Sequence, residues 1–309
     1  MIVVFGTINV DLVTVVPRFP GPGDEVKGAD YQVFPGGKGA NQALAARLAG
    51  AAVELVGCVG RDGFAEIALA GLRAAGVGLG RVGRGDGPTG THMIAVGPSG
   101  ENMMIGAEAA NRSASADRLG GLLGPGTTLL VQTSLGRGEV ERAITAARLA
   151  GTRIVLNAAP ISRLAEAALA ACDVIVVNAH EARALADDFG LPREPAAFAR
   201  AAARRFVATV VVTLGAEGLV AATAEGEGFA GEPPPVTAID ATGAGDALIG
   251  AFAAALDRGE AIERALAEGL AAGALATRAT GAQSSFAAAA DIRRAAATVA
   301  LRGLAPEAG

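Results

Sequence analysis

A chain of 309 residues that is 51% hydrophobic can bury a sizeable core, as one large α/β domain or two smaller ones. Its formal net charge of −5, with no Trp and one Tyr, excludes a nucleic-acid surface, which needs a basic stripe and stacking side chains. No uninterrupted apolar run reaches the roughly 18 residues of a membrane-spanning helix.

The opening run Ile2-Val3-Val4-Phe5 reads as a core strand with no basic segment before it, so no signal peptide is expected. Similar β-branched runs at 53–57, 128–132, 153–156, 174–177 and 209–213 alternate with helical patterns at 39–48, 65–74, 139–149, 181–186 and 195–204. Runs apolar on both faces and separated by helices predict a mainly parallel sheet covered on both sides, a three-layer α/β/α sandwich. Two stretches, 12–34 and 88–106, break that rhythm with alternating apolar and polar residues punctuated by Pro and Gly. They predict antiparallel strands in a small β lid outside the main sheet. An apolar helix at 266–277 and an Ala-rich closing helix after Ala287 follow, and no repeat or linker divides the chain, which reads as a single domain over 1–309. Cys58 and Cys172 sit beside apolar runs and are expected as buried thiols in a reducing cytoplasm.

Polar residues gather just past the strands, where α/β sheets keep their ligands. Asn9 and Asp11 follow the first run, Asn157 another, Asn178 and Glu181 a third, and Thr213 a fourth, which suggests one shared crevice. The loop Gly36-Gly37-Lys38-Gly39-Ala40-Asn41 precedes a helix but is not a Walker A loop, because Gly39 stands where Ser or Thr should follow the lysine. Such a helix start can hold a hydroxylated ligand on backbone amides, or be a tight loop with an exposed lysine. Asn178 and Glu181 offer oxygen ligands suited to Mg²⁺ held through water, but taken alone read better as a capping box. His92 and His180 are too isolated for a zinc site and read as surface or packing histidines.

The most informative stretch is Asp240-Ala241-Thr242-Gly243-Ala244-Gly245-Asp246, running into the helical Ala247–Phe252. Glycines permit a tight turn, and the unpaired first amides of the helix form an anion site backed by the helix dipole. A carboxylate inside an anion site makes sense if Asp246 takes a proton from a hydroxyl attacking a phosphoryl group. A helix cap with Asp in its first turn accounts for the same residues. A dinucleotide fingerprint fails here, since Leu248 occupies the third glycine position.

Taken together, Gly36–Asn41 and Gly243–Asp246, with Gly6–Asp11, Thr213–Gly218 and Gly281–Gln283, resemble the ribokinase-like (PfkB) family of carbohydrate kinases over nearly the whole chain. The resemblance implies ATP-dependent phosphorylation of a primary sugar hydroxyl, with Asp246 as general base and the amides of Gly243, Ala244 and Gly245 as anion hole. It implies sugar binding by Asn9, Asp11, Gly36, Gly37, Lys38 and Asn41. Asn178, Thr213, Gly215, Gly218 and Gly245 would border the nucleotide, and Asn178 and Glu181 would orient Mg²⁺. Asp240, Thr242, Ala276, Gly281 and Ser285 match the family's monovalent-cation (K⁺) site, and the lid matches a homodimer contact. Ser134 stands where ribokinases usually carry a substrate-binding Glu, and Ala241 and Ala247 replace hydroxyl residues. These departures leave the acceptor open between ribose, a related free sugar, fructose and a nucleoside, with a non-catalytic sugar-binding protein as the rival from another class.

Overall fold

The computed structural model describes residues 1–304; the end of the predicted unit, 305–309, lies outside the described residues. Along the first half run β1 (Ile2–Phe5), β2 (Asn9–Val15), β3 (Tyr31–Gly36), α1 (Lys38–Leu48), β4 (Val53–Val59), α2 (Gly63–Ala75), β5 (Val82–Arg84), β6 (Gly90–Val96), β7 (Asn102–Ala107) and β8 (Thr128–Gln132). Next come α3 (Arg137–Leu149), β9 (Arg153–Asn157), α4 (Glu166–Leu169), β10 (Val174–Asn178), α5 (Ala179–Phe189), α6 (Pro195–Phe206) and β11 (Thr209–Thr213). The remainder is β12 (Leu219–Ala222), β13 (Gly228–Gly231), α7 (Ala244–Asp257), α8 (Ile262–Ala276), α9 (Ala289–Ala296) and β14 (Leu301–Gly303). Among the described residues no helix is long and apolar enough to cross a membrane.

Strands of the main sheet lie in the order β14-β13-β12-β11-β10-β9-β8-β1-β4-β5, parallel from β11 to β5. The period of 2 splits each parallel strand between two cores. Ile2 and Val4 of β1 pack with α1, α2, α7 and α8, whereas Val3 and Phe5 pack with α3, α5 and α6 on the opposite face. This is the predicted three-layer sandwich. Unforeseen is the antiparallel edge β12–β14, whose short Gly- and Ala-rich strands carry too little apolar signal to read as strands.

The separate lid sheet has the order β3-β2-β6-β7. It corrects the sequence reading in two ways. Its strands start at Asn9 and end at Ala107, wider than 12–34 and 88–106, and β2 pairs β6 in parallel, not antiparallel. The long excursion between β2 and β6, through the core helices α1 and α2, is what permits a parallel pairing.

One close helix contact positions the site. Helices α1 and α7 cross at Gly250, where a Cβ would lie 2.5 Å from Ala45 Cβ and 2.8 Å from the Gln42 carbonyl oxygen. Lacking that carbon, α7 seats directly on α1. Asp246, one turn before Gly250, is thereby delivered to the side chains of Asn41 and Gln42.

Candidate active site

Asp246 sits in the first turn of α7, and Gly243 caps that helix with φ of 77°, the left-handed turn that glycine adopts without strain. Both carboxylate oxygens accept from α1: Oδ1 from Gln42 Nε2 and Oδ2 from Asn41 Nδ2, each at 2.9 Å. The amides of Gly243, Gly245 and Asp246 donate to no acceptor among the described residues. They remain available as the unpaired start of a helix. One expected member of the anion hole is corrected here. The Ala244 amide already donates to the Ala241 carbonyl at 3.1 Å, closing the turn.

On one side of Asp246, strands β2, β3 and β6 bring Asn9 and Asp11 beside Gly36 and Gly37, with Asn9 paired to Gly36 and Gly90 in register. Asn9 and Asn41 are buried, Asp11 half-buried. Asn111, a residue the sequence reading passed over, fixes this corner. Its Nδ2 donates to Asn9 Oδ1 at 2.7 Å and its Oδ1 accepts the Ile8 amide at 3.0 Å. A second correction concerns His92. Because β2 and β6 run parallel with Asp11 opposite His92, its Nδ1 lies 3.1 Å from Asp11 Oδ1 and 3.4 Å from Asn9 Nδ2. His92 therefore stands against the candidate residues Asp11 and Asn9, whereas His180 is an exposed surface residue as expected. The hydroxyls of Ser134 and Thr7 share a hydrogen bond of 3.2 Å beside this corner, and Ser134 and Asn111 line one small cavity.

On the other side, Asn178, Thr213, Gly215, Gly218 and Gly245 all line one cavity of about 570 Å³, closed by Pro233–Val236, Leu248, Leu270 and Thr277. The expected nucleotide set is thus assembled in a mostly apolar slot that ends at the amides starting α7. Asn178 and Glu181 form a full capping box. Asn178 Oδ1 accepts the amides of His180 and Glu181, and Glu181 Oε2 accepts the Asn178 amide at 2.8 Å. The capping role is therefore real, but it leaves Glu181 Oε1 without a donor among the described residues. Burial pushes the Glu181 carboxyl above its ordinary range, opposed by the Asn178 amide and by the charges of Lys38 and His180. A buried carboxylate, short of compensation and next to a cavity lined by its capping partner Asn178, fits a divalent cation held through water. Lys38 acts on this end of the site as well as standing at the start of α1.

Of the predicted monovalent-cation residues, Asp240, Thr242 and Gly281 are tied directly together. Asp240 Oδ2 accepts the Gly281 amide at 2.8 Å, and its Oδ1 accepts both the Thr242 amide and hydroxyl. Burial raises the Asp240 carboxyl, but these three donors outweigh it and hold the group below the usual carboxylate range. The amides of Ile239 and Asp240 donate to Thr277 O, next to Ala276 at the end of α8, and Ser285 Oγ donates to Ala282 O. Two loops are thus bound together with carbonyls at their junction, an oxygen-rich setting that suits a hard cation.

The profile of the pfkB family carbohydrate kinase matches residues 1–289. The ribokinase of Haemophilus influenzae is 33% identical over 292 residues, spanning 92% of this chain and 94% of that one. Among solved structures, ribokinase from Thermotoga maritima superposes with a TM-score of 0.86 at 30% identity, covering 95% of this chain and 98% of its own. Arabidopsis thaliana ribokinase complexed with ribose and ATP gives the same TM-score at 25% identity, covering 96% and 98%.

Proposed function

The chain belongs to the pfkB family of carbohydrate kinases, and on that premise we propose that it transfers the γ-phosphoryl group of ATP to a primary hydroxyl of ribose or a related free sugar. One observation carries the reading: Asp246 is fixed by Asn41 and Gln42 between the polar corner of Asn9 and Asp11 and the cavity ending at Gly245. Sugar is held by Asn9, Asp11, Gly36, Gly37 and Asn41, with Lys38 toward the phosphates. Asp246 accepts the proton of the primary hydroxyl as it attacks in line, and the amides of Gly243 and Gly245 take up charge on the transferring group. Asn178 and Glu181 would hold Mg²⁺ through water, which supplies charge neutralisation to the phosphates. Asp240, Thr242, Ala276, Gly281 and Ser285 would hold K⁺ beside the anion hole. The enzyme works as one kinase unit with a lid that excludes water. A cytoplasmic setting completes the reading, since both buried cysteines are free thiols.

The reaction is tested by ADP release with Mg-ATP, with and without K⁺, across ribose, deoxyribose, fructose, other free sugars and nucleosides. The expected result is a K⁺-stimulated signal with ribose or a close relative. Preference for a nucleoside or for fructose would move the acceptor to the other kinases of the family and make Ser134 part of that change. Silence across the panel would favour a sugar-binding protein.

The lid also supports a homodimer. Tyr31, Met93, Met103 and Ile105 are exposed together on one face of its sheet, with Ile105 at 61% and Tyr31 at 63%. Apolar strands left open in this way are covered in stable soluble proteins. Ile105→Asp is expected to convert a dimer into monomers in sedimentation equilibrium. A monomeric parent, or a variant that stays dimeric, would remove the lid contact.

A further inference from the structure

Asp246 is held by a chain of buried side-chain amides whose directions are mutually fixed. Gln42, fully buried on α1, commits both hydrogens of Nε2, one to Asp246 Oδ1 and one to Asn157 Oδ1, each at 2.9 Å. Its Oε1 accepts from Gln132 Nε2 at 2.7 Å. Asn157 in turn donates from Nδ2 to the Val176 carbonyl, so its oxygen is the end left to face Gln42. Neither amide can turn over without setting oxygen against oxygen or donor against donor among buried side chains. A separate branch reaches the other carboxylate oxygen, with Gln283 Nε2 donating to Asn41 Oδ1 at 3.1 Å and Asn41 Nδ2 donating to Asp246 Oδ2. The ends of β8 and β9 and the start of α1 are thereby tied to one carboxylate at the start of α7.

We propose that Gln42 is a positioning residue for phosphoryl transfer, holding Asp246 by a hydrogen bond whose direction Asn157, anchored on the Val176 carbonyl, imposes and Gln132 supports. The proposal rests on Asp246 being the general base. Physical reasons favour a buried amide over a charged partner here. A Lys or Arg would add a cation to the base and compete with the substrate proton for it. A neutral donor in a low-dielectric setting fixes one lone pair of Oδ1 and leaves the remaining lone pairs to the substrate hydroxyl. The carboxylate then meets the hydroxyl in one orientation, which is where most of the advantage of a placed base comes from.

The test uses Gln42→Met and Gln132→Met, which keep approximate volume and remove the amides, together with the double variant and Asp246→Asn. Steady-state kinetics are read with circular dichroism as a check on folding. Gln42→Met is expected to lower kcat about 10- to 100-fold, the scale of one lost hydrogen bond to a charged group, with KM for ATP nearly unchanged. Gln132→Met, which leaves Gln42 in place, is expected to lose less, and the double variant to be no slower than Gln42→Met alone. Folded single variants with unchanged kcat, or losses that multiply in the double variant, would overturn the proposal. Should Asp246→Asn itself retain turnover, the base assignment fails; an inactive Asp246→Asn beside a fully active Gln42→Met defeats only the positioning role.

Discussion

Asp246→Asn is expected to lower turnover by about 10² to 10⁴, the span of general-base contributions, while ATP binds as before. Two effects add in this substitution. An amide has no basic lone pair for the hydroxyl proton, and it also replaces one of two acceptor oxygens with a donor. Gln42 Nε2 and Asn41 Nδ2 both donate to Asp246, so one of them meets an NH₂ group in the variant. The side chain then rotates or the buried donor goes unpaired, and the loss lies toward the upper end of the range. On the proposed function ATP would bind elsewhere, in the cavity from Thr213 and Gly218 to Pro233–Val236 and Thr277, which Asp246 does not line. Rate measurements under saturating substrates, paired with a calorimetric ATP titration, separate the two. Turnover within a few-fold of the parent would remove Asp246 from the proton transfer.

Much of this arrangement was legible in the residues, and what was not follows a pattern. Six of the seven strands of the parallel body, β1, β4, β8, β9, β10 and β11, announced themselves because burial on both faces demands continuous apolar runs, as in Val174–Val177, whereas the three-residue edge strand β5 carries too little apolar signal. The glycine pairs and the carboxylate of Asp246 could be read because a turn and a helix start impose local residue choices. His92 could not. Its place depends on β2 lying parallel to β6, a register between segments about 80 residues apart that no local pattern encodes. Asn111 and the glutamines at 42, 132 and 283 escaped for the same reason: a buried amide is recognised only by its partner, and each partner is distant in the chain. Ala244 misled in the opposite direction. Its position in the motif suggested a free amide, and only the closed turn to Ala241 shows that the amide is taken.

Asp240 and the turn that starts α7 are physically one unit, so on the proposed function the monovalent cation and the chemistry would be coupled. The Asp240 carboxylate ties Gly281 to Thr242, and Gly243 packs onto Ala282 directly beyond. Any ion that fixes the carbonyls at this junction also fixes the turn from which the Gly243 and Gly245 amides project.

Gly243→Ala tests that unit and is expected to damage catalysis far more than folding. At φ of 77° a left-handed backbone costs an alanine about 1–2 kcal/mol. Its Cβ would stand 2.6 Å from Ala282 Cβ and 2.8 Å from Ala282 Cα, so the turn must lift away from the 281–285 segment. Asp240 cannot follow, being bound to Gly281 and to the amide and hydroxyl of Thr242. The amides of Gly243 and Gly245 therefore shift relative to Asp246, whose own position is held by Asn41 and Gln42. Displacing one preorganised donor typically removes about 10²–10³ in kcat, and that is the expected loss. Because the backbone cost is modest, the variant should still fold, with a melting midpoint lower by a few degrees. Stimulation by K⁺ should weaken in step with turnover, since the ion and the amides share the turn. Normal turnover in the Gly243→Ala enzyme, with its K⁺ response intact, would show that these amides do not carry the transferring phosphoryl group.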